Sequence, residues 1–472
     1  MRILYAGWGF QPFRKGGLIE YAEDLMETQV QNGYDVFYFC TGRGDILSRR
    51  PYVDRWQSAK GYPVFELRNP PIISGLEYGV REPLFDTCEK VTEREFLKVV
   101  DSVRPDIVHF QEFLGIPTSV VPALSARGIK VVFTAEDYFV LCPVLKLVNA
   151  DGHLCYVKDG RLGAECARCC SRAPANNFLH RFQTMLSIQD KALWWQVKKV
   201  GRQVLERLDI TLEAVRPPDG KLAGDFNERR RRNLTNLQHA DMIIAMSGRV
   251  AEIFRDHAPF TNLKVLQLTI KHLGSITPYV INVKAPIRLA MINVMGSDLK
   301  GRKLMFDVFG KVASGRLSRQ VHFVVLGNAD ADSRALMNRY PFVEYAGNYS
   351  PLHLDRILEE LKITVGIMPS LWEEAYGYAG VEFLAKGIPV IGNRIGGIPD
   401  YVIDGETGWT NESCSADELF AIIDRLCMRP DDIVRINRNL ITNRSRYIKT
   451  MEGHFHEMDH IYHQLLRPGN TN

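Results

Sequence analysis

The sequence predicts an α/β protein of two domains, and three observations carry that prediction. Short apolar runs rich in β-branched residues recur along the chain, among them RILYA (2–6), PDIVHF (105–110), IKVVFT (129–134), IRLAMINV (287–294) and ITVGIMPS (363–370). Such runs read as strands buried on both faces, as parallel sheets require. They alternate with helical stretches and end in glycine-containing or polar loops, and the pattern starts afresh after Pro286. With 472 residues the chain is long enough for two or three domains.

In order, Arg2–Ala6 reads as a first strand, GWGFQPFRKGG (7–17) as a glycine-rich loop, Leu18–Asn32 as a helix and Tyr34–Cys40 as a second strand. This is a βαβ start with glycines at the strand-to-helix turn. Gly16 and Gly17 carry no Cβ, so backbone N–H groups there could approach a phosphate. The G-x-G-x-x-G spacing of a dinucleotide site is absent, which counts against a dehydrogenase. The strands at 105–110 and 129–134 lead into QEFLGIP (111–117) and AEDYFVLCP (135–143). Ligands of open α/β sheets collect at the carboxyl ends of strands, so Glu112, Glu136 and Asp137 are expected to face a cleft. HADMIIAMS (239–247) reads as the last strand of this half, closing in a serine loop.

An insertion interrupts that half. Five of the nine cysteines, Cys142, Cys155, Cys166, Cys169 and Cys170, fall within 29 residues. Cys166-Ala-Arg-Cys169 has zinc-knuckle spacing, and the loop around it is too long to order itself cheaply. A structural zinc on Cys142, Cys155, Cys166 and Cys169 is expected, with Cys170 as the alternative ligand. Unligated thiols or a redox pair are the other readings. Phe178–Leu208 has helical apolar spacing with Trp194, Trp195 and several lysines and arginines. It reads either as a packed amphipathic insertion with a solvated basic face or as a contact with a membrane surface. Arg229–Arg232 reads as a solvated or salt-bridged run.

The second half is organised around PSLWEEAYGYAGVEFLAKGIPVIGNRIGGIPD (369–400). The run at 363–370 is a buried strand, Tyr378–Lys386 a short helix stopped by Gly387 and Pro389, and PVIG (389–392) the next strand. A helix beginning near Gly377 presents unsatisfied amide N–H groups and a positive dipole end, to which a phosphate binds. Glu382, early in that helix, calls for hydrogen-bond donors such as the vicinal hydroxyls of a ribose. Glu374, in the loop before it, could reach hydroxyls on whatever the phosphate carries. The ligand so described is a nucleotide sugar. Upstream, Lys300-Gly301 opens a helix, QVHFVVLGNADAD (320–332) is a strand and loop, and FVEYAGNYS (342–350) is another. Asp330-Ala-Asp332 could bind a metal–nucleotide in a different architecture, whose context is lacking here.

Glu374, seven residues, Glu382, then A-K-G-I-P-V-I and G-G-I-P-D together resemble the donor-binding motif of the retaining glycosyltransferases of family 4, glycosyltransferase group 1. The resemblance covers roughly residues 1–170 and 239–450 and implies the GT-B fold: two facing Rossmann-like domains with parallel sheets and an inter-domain cleft. An acceptor-side domain over 1–280 would include the cysteine cluster (142–170) and the helical insertion (175–235). A nucleotide-sugar domain would span 281–448, and 449–472 would be a terminal helix and tail. The implied reaction is glycosyl transfer with retention at the anomeric carbon. By the resemblance Glu374, Lys300 and Glu136 are catalytic, Lys300 neutralising the leaving diphosphate. Gly16, Gly17, Glu382, Tyr376, Gly377, Arg302, Asn348 and Tyr349 would bind donor, and Glu112 and Asp137 would lie on the acceptor side. Two positions depart from the family pattern. Thr134-Ala135-Glu136-Asp137 has Glu136 where relatives place a histidine, and Met295 stands where they place an arginine, with Arg302 a substitute. No catalytic metal is implied.

A net charge of +4 from 59 basic and 55 acidic residues is too slight for a nucleic-acid partner. No run approaches the roughly 20 apolar residues of a membrane span, and MRILYAGWGF is expected to be an opening strand and not a signal peptide. A cytoplasmic location with reduced thiols is expected, with peripheral contact at the inner membrane face if the acceptor is lipid-linked. Two other functions share the fold: a binding or regulatory subunit with weakened catalysis, and an epimerase or hydrolase.

Overall fold

A computed structural model describes residues 1–14, 16–45, 47–48, 50–72, 79–155, 162–173, 216–283 and 286–467. The helical insertion read at Phe178–Leu208 lies outside the described residues, and with it the membrane-surface reading. The rest divides into two compact units, one of Met1–Ala245, Ala251–Leu266 and the chain from Phe455, the other of Met246–Val250 and Gln267–His454.

The first unit holds an eight-stranded sheet of β1 (Arg2–Gly7), β2 (Asp35–Thr41), β3 (Tyr52–Gln57), β4 (Pro63–Arg68), β5 (Ile107–Phe110), β6 (Lys130–Ala135), β7 (Met242–Ala245) and β8 (Leu263–Val265). Their spatial order is β3-β4-β2-β1-β5-β6-β7-β8, parallel throughout except where β3 runs against β4. β1 pairs with β2 on one side, Ile3 opposite Val36, and with β5 on the other, Ile3 opposite Ile107. Strand order therefore reverses between β1 and β5, and the loops leaving their carboxyl ends are where an α/β sheet binds ligands. Ile3, Leu4, Tyr5, Ile107, Val108, Val131 and Val132 are wholly buried. Phe39, Phe96, Phe110, Phe113, Phe133 and Phe254 touch in a chain, ring centroids 4.7–6.2 Å apart.

The second unit has six parallel strands: β9 (Ile287–Ile292), β10 (Val321–Leu326), β11 (Val343–Gly347), β12 (Val365–Met368), β13 (Val390–Asn393) and β14 (Gly408–Asn411). Their order is β11-β10-β9-β12-β13-β14. The reversal falls between β9 and β12, whose carboxyl-end loops carry Lys300 and Glu374. The α/β class read from the sequence is thus observed as two parallel-sheet units.

Three elements differ from expectation. The sheet does not end at 239–247, because the three-residue β8 adds to β7; NLKV is too short and polar to announce a strand. The β3–β4 hairpin was not legible because β3, YVDRWQ, is an edge strand with no buried residue. The terminal helix read over Ser445–Leu466 is two, Arg444–Tyr447 and Met451–Leu466, separated at Ile448, whose backbone is extended. Of its histidines, His456, His460 and His463 are exposed, whereas His454 is buried.

A fully buried polar network fixes the end of that last helix. The Tyr5 and Tyr462 hydroxyls lie 2.9 Å apart, Tyr462 Oη is 2.6 Å from His109 Nδ1, and His109 Nε2 is 2.7 Å from Thr134 Oγ1. In a low-dielectric interior such a chain costs heavily when broken. Tyr462→Phe is expected to lower stability by about 1–3 kcal/mol, a few degrees in midpoint, by thermal denaturation. An unchanged midpoint would show that the network contributes nothing.

Candidate functional site

The loop after β12 is shaped by glycines from elsewhere. A methyl group on Gly301, where φ is 95°, would stand 2.3 Å from the Pro369 carbonyl oxygen. One on Gly396, at φ 57°, would stand 2.4 Å from the Glu374 carbonyl oxygen, and one on Gly397 2.4 Å from that of Ala375. Both segments approach the loop so closely that side chains are excluded. Gly397 N–H also donates to the Glu374 carbonyl at 2.8 Å. The glycines of Lys300-Gly301 and of G-G-I-P-D therefore serve one purpose: they clamp the backbone that presents Glu374.

The Glu374 carboxylate accepts from both sides. Lys300 Nζ donates to Oε1 and Ser370 Oγ donates to Oε2 at 2.7 Å. Ser370 is held in turn, its carbonyl accepting from Asn393 Nδ2 at 3.0 Å, and Asn411 Nδ2 donates to Asn393 Oδ1 at 2.7 Å. Lys300 lies at the end of a 3₁₀ turn, Asp298–Lys300, capped by Ser297. Its ammonium is 5.5 Å from the Trp372 ring. Neighbouring Glu373, 1% exposed, is gripped by Arg249 at 2.7–3.2 Å, a partner that sequence spacing could not disclose.

The helix expected near Gly377 is Tyr378–Ala385, with Gly377 at its N-cap in the left-handed region, φ 88°. Tyr376, buried just before it, packs edge-on against Tyr378 and Tyr401, each 5.6 Å away. Glu382 is buried, and its Oε1 lies 2.7 Å from His272 Nε2. His272, on the short helix Lys271–Ser275, orients this carboxylate, and no signal in the sequence linked the two.

The remaining donor-side expectations are placed as follows. Arg302 Nε donates to Asp298 Oδ1 at 2.8 Å and its Nη1 to Asp330 Oδ2 at 3.0 Å. Asp330 Oδ1 caps the helix Ala331–Met337 by accepting from Ser333 N–H at 2.6 Å, so this aspartate has a local structural role. Met295 is wholly buried. Asn348, exposed, and Tyr349, half-buried, follow the carboxyl end of β11.

In the first unit Gly16 is the N-cap of the helix Gly17–Gln31, and a methyl group on it would meet nothing within 4 Å. Glu112 and Glu136, 6% and 4% exposed, and half-buried Asp137 leave the ends of β5 and β6 together. Trp8 N–H donates to Glu112 Oε1 at 2.7 Å, while Glu136 Oε1 and Asp137 Oδ2 have no hydrogen-bond partner among the described residues. Burial, reinforced by Asp137, pushes Glu112 up to about 8 against the pull of Trp8 and Arg14. Burial raises Asp137 to about 6, and burial with both neighbours takes Glu136 well above the carboxylate range. Arg14, the cation acting on Glu112, stacks 3.2 Å from the Trp8 ring centroid, and Arg229 acts on Asp137.

The basic run at 229–232 divides between a buried and a surface role. Arg229 is 1% exposed, paired with buried Asp86 at 2.5 Å, and donates to the Phe139 carbonyl at 3.0 Å. Arg230 donates to the Leu141 carbonyl at 2.9 Å and Asn233 to that of Val140 at 3.1 Å. Only Arg231 and Arg232 behave as surface charges, on Glu228. The helix Gly220–Leu237 thus holds the loop that follows Glu136 and Asp137.

The five clustered cysteines are free thiols. Burial pushes Cys155 up to about 11 and both Cys166 and Cys169 up to about 12, and Cys142 adds to each. Arg230 Nη2 lies 3.2 Å from Cys166 Sγ. Among the described residues no group of three or more His, Cys, Asp or Glu side chains is set to hold a metal ion. No helix among the described residues is long and apolar enough to cross a membrane.

Comparison with known proteins bears on this geometry. Residues 287–429 match the family model for glycosyl transferases group 1. An uncharacterized 42.6 kDa protein in the cps region of Klebsiella pneumoniae is 22% identical over 413 residues, 85% of this chain and 87% of that one. Two solved structures align at a TM-score of 0.61. HepE of Anabaena in complex with UDP is 13% identical, with 98% of this chain and 100% of that chain covered. Sucrose-phosphate synthase of Thermosynechococcus elongatus is 17% identical, with 98% and 99% covered. A UDP-forming α,α-trehalose-phosphate synthase of Burkholderia xenovorans, solved with glucose-6-phosphate, is 11% identical at 0.60, with 98% and 100% covered. At these identities the likeness shows the fold, GT-B, and the segment similar to the group 1 glycosyl transferases, 287–429, lies within the second unit.

The acidic cluster sets a pH dependence. Where a carboxyl is raised, the folded protein keeps a proton that the unfolded chain has released, so stability falls as pH rises from the ordinary carboxylate range through the raised value. The unfolding midpoint is expected to drop between about pH 5 and about pH 8, and Glu136→Gln to flatten that fall, by scanning fluorimetry across the range. A steeper fall in the variant would contradict the assignment.

Proposed function

We propose that the protein is a retaining glycosyltransferase moving a sugar from a nucleoside-diphosphate sugar to a glycan, lipid-linked or small-molecule acceptor, in the making of a surface polysaccharide or glycoconjugate. The observation that carries this reading is the cluster of Lys300, Ser370 and Glu374 in the loops at the strand-order reversal of the second unit, with the helix N-terminus at Gly377 in the same loop. It joins one fixed cation and a positive helix end to a carboxylate, which is the chemistry of a diphosphate bearing a hydroxylated sugar. HepE, whose structure holds UDP, supports the donor class. The relative from a cps region supports the polysaccharide setting.

In the reaction the bond between the anomeric carbon and the phosphate oxygen breaks. The acceptor oxygen bonds to that carbon on the same face, and its proton passes to the leaving phosphate. Negative charge grows on that phosphate, where Lys300 and the amide N–H groups after Gly377 stabilise it. Glu374, fixed by Lys300 and Ser370, accepts from donor-sugar hydroxyls, and Glu382, oriented by His272, from the ribose. Glu136, kept neutral by its surroundings, donates a hydrogen bond to the acceptor or the reacting sugar in place of the family's histidine, with Glu112 and Asp137 on the acceptor side.

Thermal shift with UDP, GDP, ADP and CMP tests the donor site. A ligand at about 100 times its dissociation constant adds ~2.7 kcal/mol, several degrees in midpoint. One nucleotide is expected to give that shift and Glu382→Ala to abolish it, while Lys300→Ala is expected to lower turnover about 100-fold or more. A folded sample that responds to none of them has lost donor binding, and the binding-subunit reading then replaces the enzyme. The anomeric configuration of the product by NMR tests retention.

A further inference from the structure

One buried polar group beside the helix N-terminus has no use in the fold. Tyr401 follows the 3₁₀ turn Ile398–Asp400, is 5% exposed, and its hydroxyl is buried without a hydrogen-bond partner among the described residues. A methyl group on Gly377 would stand 3.0 Å from this oxygen and 3.5 Å from Glu374 Cδ, and one on Gly380 2.5 Å from the oxygen. The hydroxyl therefore lies over the first turn of the helix Tyr378–Ala385, on the Glu374 side. It does not donate to Glu374, whose oxygens take Lys300 and Ser370. Packing against Tyr376 and the two glycines holds the ring in place. A hydroxyl fixed in a dry site with nothing to bond forfeits the hydrogen bonds of water, and a phenylalanine would fill the space without that loss.

We propose that the Tyr401 hydroxyl is a ligand of the donor phosphate, donating a hydrogen bond to an oxygen of the diphosphate seated at the N-terminus of this helix and completing the anion site made with Lys300. The inference rests on reading this unit as the nucleotide-sugar site. Burial, with Glu374 and Tyr376 adding to it, raises the phenol well above its ordinary range, so the group keeps its proton and acts as a donor to an anion. As charge moves onto the phosphate when the sugar leaves, the bond strengthens, so Tyr401 contributes to turnover as well as to binding.

Tyr401→Phe tests this, because it keeps the ring and removes only the oxygen. Without ligand the variant is expected to unfold at the same temperature as the parent or higher. Whichever of UDP, GDP and ADP stabilises the parent is expected to bind the variant about tenfold more weakly by calorimetry, with turnover of the nucleotide sugar falling in addition. The matching nucleoside, which carries no phosphate, is expected to bind both alike. A lower unliganded midpoint would assign the hydroxyl to the fold and overturn the proposal. So would unchanged diphosphate affinity in the variant while Glu382→Ala loses binding, and in that case the donor site would stand without Tyr401. Failure of every nucleotide to bind the parent would overturn the donor reading and this proposal together.

Discussion

The second unit depends on one partly buried charge pair, the Glu374 carboxylate against the Lys300 ammonium. A carboxylate as enclosed as this is costly unless its lone pairs are taken up. Lys300 takes one oxygen and Ser370 the other, so neither charge is left to water alone. The pairing requires two loops, from β9 and β12, to run within contact distance. Gly301 makes the first approach, and Gly396 and Gly397 make the second. Substituting any of the three would push the loop off its backbone contacts before it touched the carboxylate. The motif's glycines, its lysine and its glutamate are therefore one mechanical unit.

The first unit handles charge in the opposite way. Three carboxyls meet at the ends of β5 and β6, where Arg14 acts on Glu112 and Arg229 on Asp137, while Glu136 feels only burial and the other two acids. Burial here acts on the proton: Glu112 and Glu136 retain it where a paired carboxylate would have released it, and Asp137 is raised to a lesser extent. In the second unit Lys300 and Ser370 take up the carboxylate oxygens, while in the first burial raises all three acids and Glu136 the most clearly. The same residue type thus supplies an acceptor at Glu374 and, in the proposed reaction, a donor at Glu136.

Much of this was legible in the chain because periodicity and punctuation carry it. The buried runs announced β1, β5, β6, β9 and β12, and the glycine, glutamate and proline spacing of 369–400 announced the loop and its helix. What stayed hidden depends on contacts between distant positions. His272 meets Glu382 across 110 residues, Arg249 meets Glu373 across 124, and the Asp86–Arg229 pair spans 143. Nothing local distinguishes Arg229, buried, from Arg231, solvated. Edge strands were lost for a related reason: β3 has no buried residue and β8 is three residues long, so neither has a hydrophobic signature of its own.

Glu136, at the position where the resemblance implies a histidine, then has a physical reading. An imidazole near neutrality offers one N–H donor and takes a proton readily. An exposed carboxylate could do neither, and the substitution would appear to abolish the group's function. Enclosed beside Glu112 and Asp137, however, Glu136 is held as an acid, and an acid has an O–H to donate. The side chain that replaces the histidine thereby keeps its donor while losing the ability to carry a positive charge. A site built this way favours hydrogen bonding to a hydroxyl over charge pairing with an anion. That fits a reaction in which the proton of the acceptor goes to the leaving phosphate and none need be stored on the protein.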